Sequence, residues 1–539
     1  MKGKYTKILG LCLCVTMAAG MLAACTPATP AATTPAATTK APGSTTAAVA
    51  TTVATTAVLK PVDLTVEVFD RATTGQTPVD NNYWTAYIQK TFGTPNKVTM
   101  KFMACPRSKE VDTLNTWMAG GTAPDICFTY DLNVVYNYYK QNGLSDLTAA
   151  MGTYGKNLST FLGKDLLAYG QYDGKQITIP AKRIMQARAG AFIRQDLLDL
   201  LGMAMPDTTD QFYAYLKAVK EKNPGKVDKV VPFAMTYDVA WCAQGFLEAF
   251  RTPATDREMY IKQNIFLPGY KEGVQFLNKM YNEGLISPEF ALDKDGKGMD
   301  ADIIRGAAGA YESNYDMALR SVPGHIANLV KNIPTAKLVA ADPYTNYTTG
   351  KHTKQLYDPT GVRLIVPVFS KNTETAIKYL DWMTGKDVLF FLQNGNEGVG
   401  HTLVEGLPKV QAVTGEQMFP SPQNIDYTLI LNGVELGDQT KTIKVNSFSY
   451  PGNEALFIKA VEYANRDAYV FPALSTPVDA AAKFGTSLTA KEKEIFAKTI
   501  TCTPADFDKV WAAQTAEYQN MGGAQVATER AAAWDKAHP

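Results

Sequence analysis

From about residue 62 apolar side chains fall on every second position, Leu64, Val66 and Val68, and a period of two predicts a strand. Over residues 83–92 the spacing changes. Trp84, Tyr87 and Ile88 share one face of a helix. Val98, Met100 and Phe102 alternate again, and Val111, Leu114 and Met118 mark a second helix over 108–118. Ala123-Pro124-Asp125-Ile126 then leads into a short third strand. Parallel strands need crossovers, so strand, helix, strand, helix, strand predicts a parallel α/β lobe. Further on, Thr208-Thr209-Asp210-Gln211 has the form of a capping box before Phe212, Tyr215, Leu216 and Val219. Asn223-Pro224-Gly225 ends that helix. Residues 373–383 predict another, with Ala376, Tyr379, Leu380 and Met383 inward and Gly385 after it. The last third mixes helices with loops and closes in an amphipathic, Ala-rich segment around 531–534, without an internal repeat.

The first residues break this pattern. Lys2, Lys4 and Lys7 precede an apolar run from Ile8 to Met21, which ends in Leu22-Ala23-Ala24-Cys25. A basic start, a short apolar run and small residues before a cysteine form the export signal of a bacterial lipoprotein, here residues 1–24. The Cys25 thiol is then the expected site of acylation, palmitate included. A diacyl chain holds a protein at a membrane because each buried methylene contributes about 0.8 kcal/mol. From Thr26 to Leu59 the chain is almost only Thr, Ala and Pro, which cannot bury a core, so 25–61 is expected to be a disordered tether. The 539 residues carry a formal charge of +1, and loss of the three leader lysines takes it to −2, so the chain has no basic footprint for nucleic acid. Cys105, Cys127, Cys242 and Cys502 match no zinc or redox spacing. Their apolar neighbours suit buried thiols, with a disulfide left open.

Catalytic patterns are missing. The four histidines, His325, His352, His401 and His538, make no H-E-x-x-H pair. There is no G-x-S-x-G elbow and no P-loop, and Gly395, Gly398 and Gly400 come in the wrong order for a dinucleotide loop. Asp293-Lys294-Asp295-Gly296 begins like a calcium loop, but Lys297 and Ile304 stand where oxygen ligands are needed. The expectation is a protein that is not an enzyme, with no metal and no cofactor.

Several stretches together resemble one family. They are Phe69-Asp70-Arg71, Asp80-Asn81-Asn82-Tyr83-Trp84, Pro106-Arg107-Ser108-Lys109-Glu110 and Ala123-Pro124-Asp125-Ile126. Tyr172-Asp173-Gly174-Lys175, Ile179-Pro180-Ala181-Lys182-Arg183 and Phe192-Ile193-Arg194-Gln195-Asp196-Leu197-Leu198 follow, then Tyr379-Leu380-Asp381-Trp382 and Glu397-Gly398-Val399. In this order they resemble the family 1 extracellular solute-binding proteins of ABC importers, in particular the LipO/LplA-like lipoprotein branch associated with oligosaccharide uptake. The resemblance implies a two-lobed periplasmic-binding-protein-like α/β fold with a hinge and a ligand cleft between the lobes. Lobe one would take 62–180 and a return over 302–365; lobe two would take 181–301 and 366–539. The implied partners are an oligosaccharide and the permease subunits, for a monomer held on the extracellular face of the bacterial cell membrane through its lipid alone. Peptide or other polar-solute binding is the alternative, followed by a surface glycoside hydrolase or lectin-like protein. One departure stands out. Where some relatives carry an Asp- and Asn-rich calcium loop after the helix that ends here at Lys222, this chain has only Asn223-Pro224-Gly225-Lys226-Val227-Asp228. Acidic-sugar specificity therefore does not carry over with the resemblance.

A sugar offers hydroxyl edges and apolar C–H faces, so its site needs planar polar groups beside aromatic platforms. Asp70 and Arg71 close the first strand and Tyr130 and Asp131 the third, which puts them at carboxyl ends of a sheet. Asn81, Asn82 and Trp84 open the first helix. Lys182 and Arg183 stand at the first crossing between lobes. Trp241 follows Tyr237-Asp238 as a stacking platform. Glu312 and Tyr315 follow the small-residue run Gly306–Ala310, which permits close backbone approach. Glu397 lies in a Gly-rich loop. These are the expected ligand contacts.

Overall fold

The computed structural model describes residues 60–72, 75, 77–411, 415–421, 424–474 and 478–538. The export leader, Cys25 and the tether lie outside the described residues, and Leu59–Pro539 forms one compact unit. Ten strands build its two main sheets: β1 (Val62–Asp70), β2 (Val98–Pro106), β3 (Cys127–Thr129), β4 (Ile179–Arg183), β5 (Ala189–Arg194), β6 (Val231–Ala234), β7 (Ala308–Asn314), β8 (Leu338–Ala341), β9 (Thr360–Ile365) and β10 (Leu431–Asn432).

The first sheet starts as the alternation predicts. β1 and β2 pair in parallel from Val62↔Val98 to Asp70↔Pro106. A parallel bridge, Val66↔Ile126, joins β1 to the segment entering β3. Beyond β3 the order continues through β9 and β4 to β10. β9 runs antiparallel to both β3 and β4. The alternating face of β1 enters a core in which Leu64 and Val66 meet Ile88, Phe92, Ile377, Leu380 and Leu392. The last three come from helices Thr373–Met383 and Lys386–Asn394.

The second sheet has the order β8-β5-β7-β6. β7 is antiparallel to β5, with Ala189 facing Asn314, and parallel to β6. A Cβ at Gly309 would stand 2.9 Å from the Pro232 carbonyl, so the small-residue run does allow close approach. Helix Thr209–Lys222 packs Phe212, Tyr215, Leu216 and Val219 beneath this sheet and ends on Asn223 at φ 41°. Of the predicted capping box only the Thr208 half forms, since Gln211 turns back to the Asp207 amide. Helix Asp479–Thr501 and the helices that follow it pack Ile495, Phe496, Trp511 and Tyr518 into the same core.

These pairings correct the expected lobe boundaries. β7 and β8, expected in lobe one, belong to the sheet of β5 and β6; only β9 returns. Residues 366–432, expected in lobe two, supply core helices and β10 to lobe one. The sheets thus assign 62–183 and 360–432 to the first lobe, and the sheet from β5 to β8 with the C-terminal helices to the second.

Three segments cross between the lobes side by side. In the first, the Arg183 amide donates to the Pro359 carbonyl at 2.9 Å and the Ile184 amide to the Asn432 carbonyl at 3.1 Å. The Tyr357 amide donates to the Gln186 carbonyl at 2.9 Å, and the Gln186 side chain returns a bond to the Tyr357 carbonyl at 3.1 Å. The crossings 184–188, 355–359 and 432 onward therefore form one hydrogen-bonded hinge.

Candidate functional site

Strand direction sets the site. β3 and β4 both run antiparallel to β9 and end at its Thr360 end, beside the hinge. β6, β7 and β8 end near the start of β5, which emerges from the same hinge. Both sheets thus point carboxyl ends at the crossings, where open α/β sheets bind ligands.

On the first lobe, the turns after β2 and β3 line a groove of about 590 Å³ that includes Arg107, Glu110, Asp112, Tyr130, Asp131 and Asn133. That volume suits a small-molecule guest. Two arginines in and beside it are paired within the lobe. Arg71 donates to both oxygens of Asp426 at 2.7 and 2.8 Å. Burial alone would lower the Arg71 pKa; the Asp426 carboxylate outweighs it and raises the value. Arg107 pairs with Glu110 at 2.6 Å and lies over the rings of Phe69 and Tyr130. Glu110 also accepts from the Thr129 hydroxyl at 2.9 Å. Tyr130 stacks on Phe69 and accepts from Asn432 at 3.1 Å; burial raises its pKa. Asp70 accepts from the Ala72 amide at 2.8 Å. Asp131 caps helix Leu132–Lys140, accepting from the Asn133 and Val134 amides, and so shapes the groove through that helix.

At the hinge two arginines have no ion pair among the described residues. The Arg183 guanidinium lies 4.6 Å from the Tyr357 ring centre, Tyr357 lies 6.0 Å from Trp241, and the Arg188 guanidinium lies 4.4 Å from Trp241. This cation–aromatic–aromatic–cation ladder spans the first two crossings and the short helix Val239–Cys242 after β6. Arg183 donates its Nε to the Thr360 carbonyl at 2.9 Å. Arg188, half-buried, donates no hydrogen bond among the described residues, and its Nη1 is enclosed without a partner. Burial lowers its pKa below the ordinary arginine value. Tyr315 lies beside the ladder with its amide on the Arg188 carbonyl at 3.2 Å, and its ring meets Phe457. The helix after β3 then meets the second lobe. Tyr136 donates to Asp479 at 2.7 Å, and Lys140 pairs with the same carboxylate. Asn133 also lines a polar cavity of about 210 Å³ with Gly485, Thr489, Glu492 and Arg530.

Of the expected contacts, Asp70, Arg71, Tyr130, Asp131, Arg183, Trp241 and Tyr315 gather around this cleft. Others do not. Trp84 is fully buried; its indole N–H donates to the Met418 carbonyl at 2.9 Å and its ring stacks on Phe419. It is a core residue. Asn82 caps helix Tyr83–Ile88 in a complete capping box and donates to the Tyr427 hydroxyl at 2.7 Å. Asn81 is exposed beside it. Lys182 is taken up by an ion pair with Glu435. Glu312 is buried behind the ladder, accepting from the Gly245 amide at 2.9 Å, and burial raises its pKa to about 7. It braces helix Gln244–Phe250 from inside. Glu397 is exposed in the turn before the hairpin His401–Val404 and Leu407–Val410, away from the ladder. Arg107, Arg188 and Tyr357 were missing from the expected set. For Arg188 a signal existed: it is a lone charged residue in Ala187-Arg188-Ala189-Gly190-Ala191, just past Lys182 and Arg183 at the first crossing.

A family model described as bacterial extracellular solute-binding protein matches residues 75–389. The chain belongs to this family. Within it, the lipoprotein LipO of Bacillus subtilis (strain 168) is 25% identical over 362 residues, covering 64% of this chain and 68% of LipO. Two solved structures share the two-lobed fold. The ABC-transporter substrate-binding protein FusA of S. pneumoniae, in complex with kestose, has a TM-score of 0.63 at 17% identity, covering 88% of this chain and 99% of FusA. An extracellular solute-binding protein of Bifidobacterium longum subsp. infantis has a TM-score of 0.63 at 17% identity, covering 88% and 98%.

Proposed function

We propose that this chain captures an oligosaccharide in the cleft between its lobes and delivers it unchanged to the permease of an ABC importer. The observation that carries this is the meeting of both sheets' carboxyl ends at a three-stranded hinge lined by Tyr130, Trp241, Tyr315 and Tyr357. Aromatic faces suit the C–H faces of sugar rings, and the surrounding Arg, Asp and Asn groups suit hydroxyl edges. Kestose in FusA and the lipoprotein LipO are consistent with this guest and with this mode of anchoring. The groove after β2 and β3 and the polar cavity shared by Asn133 lie along one helix end, which favours an elongated guest over a single sugar. Hinge closure over the guest would bring helix Leu132–Lys140 and helix Asp479–Thr501 into firmer contact. Acylation of Cys25 would hold the protein at the outer face of the membrane, with the Thr/Ala/Pro segment as its leash.

The test is a thermal-shift screen of the full chain against mono- and oligosaccharides. A ligand of the native state raises the melting temperature by mass action. A concentration-dependent rise with oligosaccharides, and no product after long incubation, is the expected result. Steady hydrolysis of a bound glycoside, or a rise with peptides alone, would overturn the reading.

A further inference from the structure

Arg188 poses a physical problem. A guanidinium offers five N–H donors, and an ionised group drawn out of water is costly unless it is paired. Here none of the five donates to a described residue. The acids around it are engaged elsewhere. Glu312 accepts from the Gly245 amide and Glu248 pairs with Arg251 at 2.7 Å. Asp316 is held by Arg320 and by the Tyr450 hydroxyl. The other cation of the ladder, Arg183, has a single carbonyl as partner. Two guanidinium groups therefore flank Trp241 and Tyr357 at the hinge, and among the described residues neither has an ion pair. By contrast Arg71, Arg107 and Arg320 each have a carboxylate within 2.8 Å.

Resting on the oligosaccharide reading, we infer that the guest bears carboxylate groups, as a uronate-containing oligosaccharide does, and that Arg188, with Arg183 beside it, receives one of them. A carboxylate supplies two oxygens in the plane a guanidinium fork requires. The adjacent Trp241 and Tyr357 rings lie where the sugar ring carrying that carboxylate would pack. A neutral sugar would leave Arg188 desolvated with hydroxyls as its only acceptors, which gives the acidic guest its advantage.

The test does not depend on which linkage the guest carries. Calorimetric titration of the full chain uses di- to tetrasaccharides of galacturonate, glucuronate and mannuronate, each beside its methyl ester, together with neutral gluco- and galacto-oligosaccharides. The expected result is at least one uronate that binds about tenfold or more tightly than its own ester, about 1.4 kcal/mol. Arg188→Gln should collapse that acid-to-ester ratio towards one, and Arg188→Lys should restore part of it, an outcome that a merely structural arginine would not give. Because the ratio is read on the unmodified protein first, a variant that fails to fold leaves the test intact. Binding of neutral sugars with no preference for any acid over its ester overturns the carboxylate inference and leaves sugar capture standing. Absence of binding by every sugar, acidic or neutral, overturns both.

Discussion

The rim of the first lobe and the floor at the hinge handle the same side chain in opposite ways. At the rim, Arg71 and Arg107 are closed off by Asp426 and Glu110, partners from their own lobe. At the floor, Arg183 and Arg188 rest on aromatic rings with no such partner. The rim pairs fix the loops after β1 and β2 whether or not a guest is present. The floor keeps its hydrogen-bonding capacity unspent.

The contrast is broken most directly at Asp426. Asp426→Asn leaves Arg71 with a neutral acceptor in a nearly closed site, and the expected loss is about 2 kcal/mol of unfolding free energy, less than a fully buried pair because Arg71 is partly exposed. Denaturant unfolding checks it; an unchanged midpoint would erase the distinction between rim and floor. Next comes a carboxyl group inside the first lobe with no cationic partner among the described residues. Glu67, fully buried on β1, accepts from the Phe128 amide, and burial raises its pKa to about 8. A carboxyl whose folded pKa lies above its unfolded one binds more protons when folded, so stability falls as pH rises between roughly 4.5 and 8. Glu67→Gln should flatten that slope and stabilise the fold at pH 8 relative to the unmodified chain, as melting across pH would show. At the floor, Trp241→Ala should weaken guest binding more than tenfold, about 1.4 kcal/mol, with the fold intact by circular dichroism. The smallest effect separates the two regions by sign. Arg188→Met should leave the ligand-free melting point unchanged or raise it by the equivalent of about 0.5 kcal/mol, because the cost of burying an unpaired cation disappears.

Local order was legible where chemistry is local. The alternation of Leu64, Val66 and Val68 placed β1, residues 373–383 formed the predicted helix, and Asn223 stopped its helix. The lobe boundaries were misplaced because β5 meets β7 across more than a hundred residues of chain, and no period in Ala308-Gly309-Ala310 says which sheet will take it. The site was half legible for the same reason. Strand-end residues such as Arg71 and Tyr130 announce themselves by position. Trp84 and Glu312 have the right chemistry in the wrong place, since burial decides their role and burial comes from distant segments. Arg188 and Tyr357 become a pair of neighbours only when two crossings bond to each other.

The nesting of one sheet inside the other along the chain also orders events in time. The inner sheet draws its strands from residues 189–341, while the outer sheet waits for β10 at Leu431–Asn432. A chain emerging amino end first can finish the inner sheet while the outer one still lacks two of its strands. The half that starts the sequence is then the later sheet to close, its early strands needing shelter until the late ones arrive.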